Sequence, residues 1–391
     1  MSGAAAAAVM RPPRILVVAH RLAPAEGTGI QRYTNEIVAA LAAVAGPDLH
    51  LELVAAAEPV PPAWVPESVP VRRLRGPRRL VNGVWAALPF PPVEAHVGRA
   101  DLVHVLSTAI PVPSRAPQVV TVHDLIPIHH REWMPAVPAW VCRRALHRTA
   151  RHARRVIVPS ASVRDDLCGT LGVQPERVRV VPEGVSDRFS AVGRPRLEAD
   201  VRARHDVPAG SYVICVGAVS RRKNLQVVLR ALARLREQGA TVPTLLIAGA
   251  DDTGAELTRA LVATLGLADR VRFLGFVPDD ELAPLVAGAQ ALVHPSRDEG
   301  FGLTPLEAMA SGVPALVSDA GAIPEVVGTA AVVIGVDDVE GWAVAIKRVG
   351  DDDGHREDLV RRGRERADQF SWTAAAHRTI EVYRECLVGA A

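Results

Sequence analysis

The chain has 391 residues, of which 49% are hydrophobic and 23% charged, and its formal net charge is +2. Such a length exceeds one ordinary core and predicts two domains. The net charge favours no class of partner, and no nucleic-acid motif or solenoid repeat is found. Four scattered cysteines without a CxxC spacing argue against a disulfide framework or a zinc site.

The N-terminal residues and the lengths of the apolar runs indicate the cellular compartment. Residues 1–10, MSGAAAAAVM, have no basic leader, so we expect a loose tail rather than a signal peptide. No apolar run approaches the roughly 20 residues that span a bilayer. We therefore expect a cytoplasmic protein, with peripheral contact at the inner face of a membrane left open.

Short apolar runs alternate with helical patterns through the first half of the chain. RILVVAH (14–20) is typical of a buried strand, and the glycine-rich GTGIQRY (27–33) then opens an amphipathic helix. Further strands are predicted at 49–56, 101–107, 118–124, 155–160 and 177–184. This alternation predicts a parallel sheet covered on both faces.

Two segments of the first half are rich in arginine. Residues 57–93 are also rich in proline and are predicted to be an irregular surface excursion, whereas CRRALHRTARHARR (142–155) is predicted to be helical. Solvated surface charge is one interpretation of both segments. Contact with an acidic acceptor or an anionic lipid surface is the other.

Hydrophobic periodicity is lost between residues 186 and 208, which we interpret as a linker. Strand and helix patterns then resume. Strands are predicted at 212–219, 244–249, 270–276 and 291–295, with helices at 224–237, 254–265 and 279–289. Two consecutive Rossmann-like halves follow, an N-terminal domain of residues 1–190 and a C-terminal domain of residues 205–370.

The segment HPSRDEGFGLTPLEAMASGVP (294–314) has the most specific chemistry. A helix is predicted from Thr304, where proline takes the first helical position, to a stop at Gly312. Gly300 and Gly302 allow a close turn that leaves backbone amides free at the positive end of the helix dipole, which suits a phosphate. These amides belong to Phe301, Gly302, Leu303 and Thr304.

Two carboxylates, Glu299 and Glu307, frame this phosphate cradle. Because acidic side chains repel a bare phosphate, they fit better as acceptors for the hydroxyl groups of a sugar attached to it. The predicted ligand is therefore a sugar nucleotide. Structural alternatives are a capping box formed by Glu307 with Thr304, and a solvated loop at Glu299.

A second cluster of charge lies in VGAVSRRKNLQ (216–226), between a predicted strand and the next helix. Open sheets bind ligands in this position, and Arg222 and Lys223 there would neutralise a diphosphate. Gly217 begins this turn. Lys223 is one of only two lysines in the chain. The structural alternative for these cations is solvated surface charge.

Glu299 and Glu307, with GFGLTPLEAMASGVP between and after them, resemble the E-x7-E signature of retaining glycosyltransferase family 4. The resemblance implies an α/β protein of the GT-B fold, with two Rossmann-like doubly wound domains facing across a cleft. It also implies that a last helix (371–391) returns to the first domain. In the family, the first Glu touches donor-sugar hydroxyls, the second holds the ribose, and a Lys and an Arg hold the diphosphate, here Lys223 and Arg222.

Two details of this resemblance concern His123 and Arg222. TVHDLIPIHH (121–130) resembles the family's TxHD pattern, which places His123 in the donor-sugar pocket, and its continuation resembles mannosyltransferases. Asp124 is expected to orient His123 or to cap the turn. Many members carry an arginine where this chain has Ala218, so that role is assigned to Arg222. The expected catalytic residues are then His123, Arg222, Lys223 and Glu299.

Two further loops resemble the family at the edges of the cleft. GTGIQRY resembles the N-terminal glycine loop, where acceptor and donor meet, so Gly29, Gln31 and Arg32 are assigned to the acceptor side together with Asp124. FLGFVPDDEL (273–282) resembles the loop beside the nucleotide base, which assigns Phe276 and Val277 to the donor. Main-chain contacts there accept either guanine or uracil.

The combined interpretation is a retaining glycosyltransferase that moves a hexose from a nucleotide sugar to an unknown hydroxyl acceptor. GDP-mannose is favoured as donor, with a UDP-sugar as the second choice. No DxD motif lies beside the phosphate elements, so no metal and no other cofactor is expected. The alternatives are a nucleotide-sugar 2-epimerase of the same fold and a non-catalytic sugar-nucleotide-binding protein.

Overall fold

A computed structural model describes residues 11–19, 29–55, 65–190, 195–208 and 210–388. Within these ranges the chain forms two parallel β-sheets in succession, one of seven strands and one of six. The predicted fold class, two Rossmann-like α/β domains, is confirmed. The predictions for residues 1–10, for 57–64, and for Gly27 and Thr28 of the glycine loop lie outside the described residues.

The first sheet is built from short strands rich in buried valine, leucine and isoleucine. These strands are β1 (Arg14–Val18), β2 (His50–Ala55), β3 (Val71–Arg73), β4 (Leu102–Val105), β5 (Gln118–Thr121), β6 (Arg155–Val158) and β7 (Val178–Val180). Their order is β3-β2-β1-β4-β5-β6-β7, with every neighbouring pair parallel. The order reverses between β1 and β4, so their carboxyl ends open a crevice.

Helices cover both faces of this sheet and continue toward the second one. They are α1 (Gly29–Val44), α2 (Arg78–Ala87), α3 (Glu94–Val97), α4 (Ile126–His129), α5 (Ala136–His152), α6 (Ala161–Leu171), α7 (Asp187–Ser190) and α8 (Pro195–Arg204), with 3-10 turns at Arg131–Trp133 and Pro175–Arg177.

The prediction that the arginine-rich stretch 57–93 is irregular is wrong, because its described part contains β3 and α2. The segment 186–208, predicted as the linker between the domains, lies between the two sheets and contains α7 and α8. The sequence of α8, PRLEADVRAR, has too few apolar residues to show a helical period. It is stabilised by packing instead, because Val201 is fully buried where α8 meets the second domain.

The second sheet repeats the arrangement. Its strands are β8 (Tyr212–Val216), β9 (Thr244–Ala248), β10 (Val271–Gly275), β11 (Ala291–His294), β12 (Ala315–Ser318) and β13 (Val332–Ile334). Their order is β10-β9-β8-β11-β12-β13, all parallel, and it reverses between β8 and β11. The accompanying helices are α9 (Leu225–Glu237), α10 (Ala255–Thr264), α11 (Asp279–Ala287), α12 (Leu303–Ala310), α13 (Ile323–Val327), α14 (Val339–Asp351) and α15 (Asp353–Ala367).

The last helix, α16 (Trp372–Val388), packs against α1 of the first sheet's domain. Trp372 and Tyr383 share one apolar core with Ile37 on α1. The Tyr383 hydroxyl also lies 2.6 Å from Nδ1 of His104 on β4, and burial lowers the pKa of His104 to about 3. A neutral imidazole therefore links α16 to the sheet. In the described part of the chain, no helix is both long and apolar enough to cross a bilayer.

Candidate active site

The sequence-predicted donor residues follow the two strands at which the second sheet reverses its order. Gly217, Arg222 and Lys223 lie in the turn after β8, and Glu299 lies in the turn after β11. Because β8 and β11 are parallel neighbours, both turns leave the same edge of the sheet. Connections then run to opposite sides, which opens the crevice in which such sheets bind ligands.

Glu299 lies at the centre of this edge. Its Oε1 atom is 2.6 Å from an Arg222 guanidinium nitrogen, 2.7 Å from Lys223 Nζ and 3.3 Å from Nε2 of the buried His294. Burial by itself would raise the pKa of Glu299, but the charges of Arg222 and Lys223 outweigh it and hold that pKa well below its ordinary value. Glu299 is thus an ionised carboxylate that holds both cations in place.

Gly217 and Arg221, in the same turn after β8, lie beside this cluster without joining it. A side-chain carbon at Gly217, where φ is 129°, would lie 2.8 Å from Lys223 Cε, so the lysine packs directly on the glycine backbone. Arg221 turns the other way and packs on Gly254. Of the three basic residues in RRK, only Arg222 and Lys223 therefore face the ligand edge.

The phosphate cradle is formed by the start of α12. Gly302, with φ of 111°, precedes the first helical residue, and no side chain caps this end. Within the described residues, the backbone amides of four successive residues donate to no protein acceptor; they are those of Phe301, Gly302, Leu303 and Thr304. The side chains of Phe301 and Leu303 are buried, so only their amides face the cleft. This end of the helix is suited to an anion.

The structural alternative, a capping box formed by Thr304 and Glu307, is absent, because no side chain caps the start of α12. The helix begins at Leu303, two residues before the predicted first helical residue, so Pro305 occupies the third helical position. Glu307 instead points across to the first domain. Its two carboxylate oxygens lie 2.6 and 2.8 Å from one guanidinium nitrogen of Arg32.

Arg32 bridges two carboxylates of the second domain. Its other terminal nitrogen lies 3.1 Å from Asp279 on α11, which also pairs with Arg188 at 2.5 Å. Burial would lower the pKa of Arg32, but Glu307 and Asp279 outweigh it and raise that pKa. Arg32 was assigned to the acceptor side; the structure places its guanidinium on Glu307, the residue assigned to the ribose.

The two domains touch at Gly300. A side-chain carbon on this residue would lie only 1.7 Å from the carbonyl oxygen of His123. The Gly300 carbonyl also accepts a hydrogen bond of 2.8 Å from the Ser160 hydroxyl, which caps α6 in the first domain. Only glycine fits this contact, and it brings the TxHD turn beside the phosphate cradle.

His123 is held by acceptors on both ring nitrogens. Nε2 lies 3.0 Å from the carbonyl oxygen of Leu106, and Nδ1 lies 3.3 Å from Oε1 of Glu183. Since a carbonyl only accepts, Nε2 carries a proton, and a carboxylate favours a second proton on Nδ1. Burial would lower the pKa of His123, but the Glu183 carboxylate and the Leu106 carbonyl outweigh it and raise that pKa. Both ring nitrogens of His123 thus face acceptors, and the raised pKa favours the protonated ring.

Glu183 was not among the predicted site residues. Glu183 is buried and follows β7, so it reaches the same edge of the first sheet as His123, which follows β5. A glutamate directly before a glycine, just beyond a buried strand, is the signal that would have placed it there.

The other predicted residues of the first domain make local contacts. Asp124 accepts a hydrogen bond of 3.1 Å from the amide of Ile126, so it caps the turn, one of its two expected roles. Gln31 donates to Asn35 at 2.8 Å along its own helix. Gly29 is the first residue of α1, and the space beside its Cα is open.

The loop after β10 contains Phe276 and Val277, both assigned to the nucleotide base. Phe276 is 45% exposed, whereas Val277 is buried in the core of the second domain. Only Phe276 therefore offers a side chain to a ligand at this edge.

Two family models match the chain, and the matched ranges contain the residues described above. The model described as Glycosyltransferase Family 4 matches residues 27–189, which hold Arg32, His123 and Glu183. The model described as Glycosyl transferases group 1 matches residues 201–366, which hold the cluster around Glu299 and the cradle of α12. Together the two matches contain both sheets almost completely.

Individual proteins give the same result. O-antigen chain mannosyltransferase B of Escherichia coli is 29% identical over 315 residues, 80% of this chain and 78% of that protein. A D-inositol 3-phosphate glycosyltransferase of Corynebacterium kroppenstedtii is 29% identical over 283 residues, 70% of this chain and 63% of that protein. The solved structure of Anabaena HepE in complex with UDP-glucose has the same fold, with a TM-score of 0.74 at 20% identity over 95% of this chain and 100% of that one. This chain is therefore a glycosyltransferase of family 4, with the GT-B fold.

Proposed function

We propose that the protein is a retaining hexosyltransferase that takes mannose from GDP-mannose and transfers it to an acceptor hydroxyl without a metal ion. The observation that carries this proposal is the cluster at the carboxyl ends of β8 and β11. There Arg222 and Lys223 are fixed by Glu299, next to the four free amides at the start of α12. Cations and amides together match the charge and the oxygens of a diphosphate.

In this proposal the second domain stabilises the leaving nucleoside diphosphate. Lys223 has three donors and spends one on Glu299, which leaves two for phosphate oxygens. The amides of α12 take the remaining charge, as preorganised donors do in other transfer reactions. These groups perform the task that a divalent ion performs elsewhere, so chelation with EDTA is expected to leave the rate unchanged.

The role of His123 follows from its hydrogen bonds. Both ring nitrogens of His123 are engaged by Leu106 and Glu183, so in this proposal the ring supplies positive charge beside the cradle and takes no proton from the acceptor. The proposed retaining route, same-face attack with a phosphate oxygen of the departing nucleotide as the base, needs no protein base. Glu299 and Glu307 accept hydrogen bonds from sugar and ribose hydroxyls through the carboxylate lone pairs that their cations leave unused.

The choice of mannose rests on two similarities. The segment DLIPIHH (124–130) resembles the corresponding segment of mannosyltransferases. One relative of the chain is an O-antigen chain mannosyltransferase. The HepE complex contains UDP-glucose, which makes a UDP-sugar the second candidate donor. The exposed Phe276 lies in the loop assigned to the base, where main-chain contacts accept either guanine or uracil.

A panel of nucleotide sugars without acceptor tests the donor. We expect slow release of GDP from GDP-mannose and tighter binding of GDP than of UDP by calorimetry. Release of UDP alone would transfer the proposal to a UDP-sugar. Formation of a new sugar nucleotide would identify an epimerase, and binding without turnover for any acceptor would identify a sensor.

We also propose a cytoplasmic site of action. All four cysteines, Cys142, Cys168, Cys215 and Cys386, are free thiols, which fits a reducing compartment. Cytoplasmic fractionation of cells that produce the protein tests this proposal. Contact with a membrane surface depends on the exposed side chains of the first domain.

A further inference from the structure

A groove of about 390 Å³ lies between α2 and α5 on the first domain. It is separate from the cluster of Arg222, Lys223 and Glu299 in the second domain, called the donor cluster below. It brings together the two arginine-rich segments that the sequence presents separately. Its lining includes Trp85, Leu88, Arg144, His147, Arg148 and Arg151. Nothing in the proposed transfer reaction uses these residues, so the groove requires its own explanation.

The groove is strongly basic along one side. Arg144, Arg148 and Arg151 are spaced by four and three residues, so they share one face of α5. Within the residues that the structure describes, no carboxylate pairs with any of the three, although most arginines on other helices have an acidic partner. Three guanidinium groups at this spacing without a counter-charge match an anionic partner.

Arg148 lies deepest in this cluster. Its Nε atom is buried and has no hydrogen-bond acceptor among the described residues. Burial lowers the pKa of this guanidinium, which means that the surroundings do not compensate its charge. A buried donor of this kind is normally satisfied in the functional state. A phosphate oxygen is the acceptor that a guanidinium fork fits best.

Exposed apolar side chains border the same groove. Trp140, Leu88 and Phe90 are 47%, 58% and 64% exposed. Arg144 lies over the Trp140 ring at 5.1 Å and donates to the carbonyl of Ala87, so the basic and apolar parts are held together. Leu80 and Val137 on α2 and α5 are also exposed, and these five belong to the eleven large apolar residues exposed in the described chain.

This combination distinguishes between classes of partner. A nucleic acid or a phosphopeptide would match the arginines but not the exposed leucine, phenylalanine and tryptophan around them. An anionic phospholipid bilayer matches both, because its phosphates lie just above the apolar acyl region. Tryptophan and arginine are also the side chains that span such a boundary, with one polar and one apolar part.

We propose that the groove between α2 and α5 docks the protein on an anionic phospholipid bilayer. Arg144, Arg148 and Arg151 hold a lipid phosphate, and the side chains of Leu88 and Trp140 lie at the boundary between headgroups and acyl chains. The proposal does not depend on the donor chemistry, since the groove and the donor cluster lie in different domains. With the groove on the bilayer, the first domain is the one that faces the membrane.

Sedimentation with lipid vesicles tests the proposal on the full chain. We expect binding to phosphatidylcholine vesicles that contain phosphatidylglycerol, weak binding to phosphatidylcholine alone, and release at high salt. Each arginine near an anionic surface contributes about fivefold in affinity, so the triple variant Arg144→Gln/Arg148→Gln/Arg151→Gln should bind about 100-fold more weakly.

A control with the same change in net charge separates a docking site from general attraction. Arg259, Arg348 and Arg361 lie on helices of the second domain and each faces an acidic partner. The triple variant Arg259→Gln/Arg348→Gln/Arg361→Gln should keep nearly all of the vesicle binding. Equal losses in the two triple variants would overturn the assignment of the groove.

Two more measurements complete the test. Trp140→Ser should weaken binding to anionic vesicles. The concentration of inorganic phosphate that releases the protein from these vesicles should stay unchanged, because the three arginines are intact. Equal binding to neutral and anionic vesicles, or phosphate binding in the groove without any vesicle binding, would refute a bilayer partner. The affinity of every variant for nucleoside diphosphate should equal that of the parent, so a failure here is distinguishable from failure of the proposed transfer activity.

Discussion

Replacing Lys223 with alanine removes one of the two cations that Glu299 fixes in the donor cluster. In the structure Lys223 Nζ lies 2.7 Å from Glu299 Oε1, and only 9% of its side chain is exposed. Loss of one charge-assisted hydrogen bond to a diphosphate costs about 1.5–3 kcal/mol, which is about a 10- to 150-fold rise in Kd. The cost to folding should stay below the about 3–5 kcal/mol of an unpaired buried charge, because Arg222 still pairs with Glu299.

Isothermal titration calorimetry with GDP and with guanosine measures this effect. Only GDP carries the diphosphate, so Lys223→Ala should weaken GDP binding and leave guanosine binding unchanged. Lys347→Ala is a matched control, because Lys347 is the only other lysine and lies exposed on α14 beside Asp351. An equal loss for GDP and guanosine, or no loss for GDP, would refute a diphosphate role for Lys223.

Three further substitutions test two contacts between the domains and one contact within the first domain. Arg32→Ala leaves the buried Glu307 carboxylate without its counter-charge, so urea denaturation should show a loss of about 3–5 kcal/mol, and an unchanged stability would contradict the ion pair. Glu183→Gln should lower the pKa of His123. The stability from this pair is fully present below the ordinary histidine pKa of about 6.5 and is lost as pH rises through the raised pKa, so the parent should lose melting temperature with rising pH and the variant should not. Gly300→Ala forces the His123 carbonyl away, so sugar transfer should fall by about 100-fold while binding of nucleoside diphosphate stays the same; equal losses in both would contradict a contact that acts on domain placement.

The sequence was most informative where local chemistry determines local structure. Apolar runs such as RILVV and YVICV became buried strands within two or three residues of the predicted limits, because a parallel sheet buries both faces of each strand. The turn after β11 was equally predictable, since glycine and proline fix where a helix begins and ends. The placement of Lys223 and Glu299 at one edge followed from the order of strands and helices.

The sequence is least informative where the partner of a side chain is distant along the chain. Glu307 and Thr304 have the spacing of a capping box, but a guanidinium 275 positions away gives Glu307 a stronger interaction. The sequence assigned Arg32 to the acceptor side, and nothing near it along the chain indicates its pairing with Glu307 and Asp279. Glu183 was overlooked since its contact with His123 depends on how β5 and β7 lie in the sheet.

The arginine-rich segments illustrate a third limit. Their composition favoured solvated surface and left contact with an acidic acceptor or a lipid surface as the alternative, because charge alone does not tell where a side chain lies. Packing of α2 against α5 places Arg144 and Trp140 beside Leu88, and this shared surface is what distinguishes the two interpretations. Such a surface is a property of the fold and has no signature in either segment.

The most direct test of the donor site is a crystal structure with a bound nucleoside diphosphate. The account predicts diphosphate oxygens within hydrogen-bond distance of Lys223, Arg222 and the amides from Phe301 to Thr304, with a ribose hydroxyl on Glu307. A nucleotide bound elsewhere, with Lys223 and Glu299 still paired and remote from its phosphates, would contradict it.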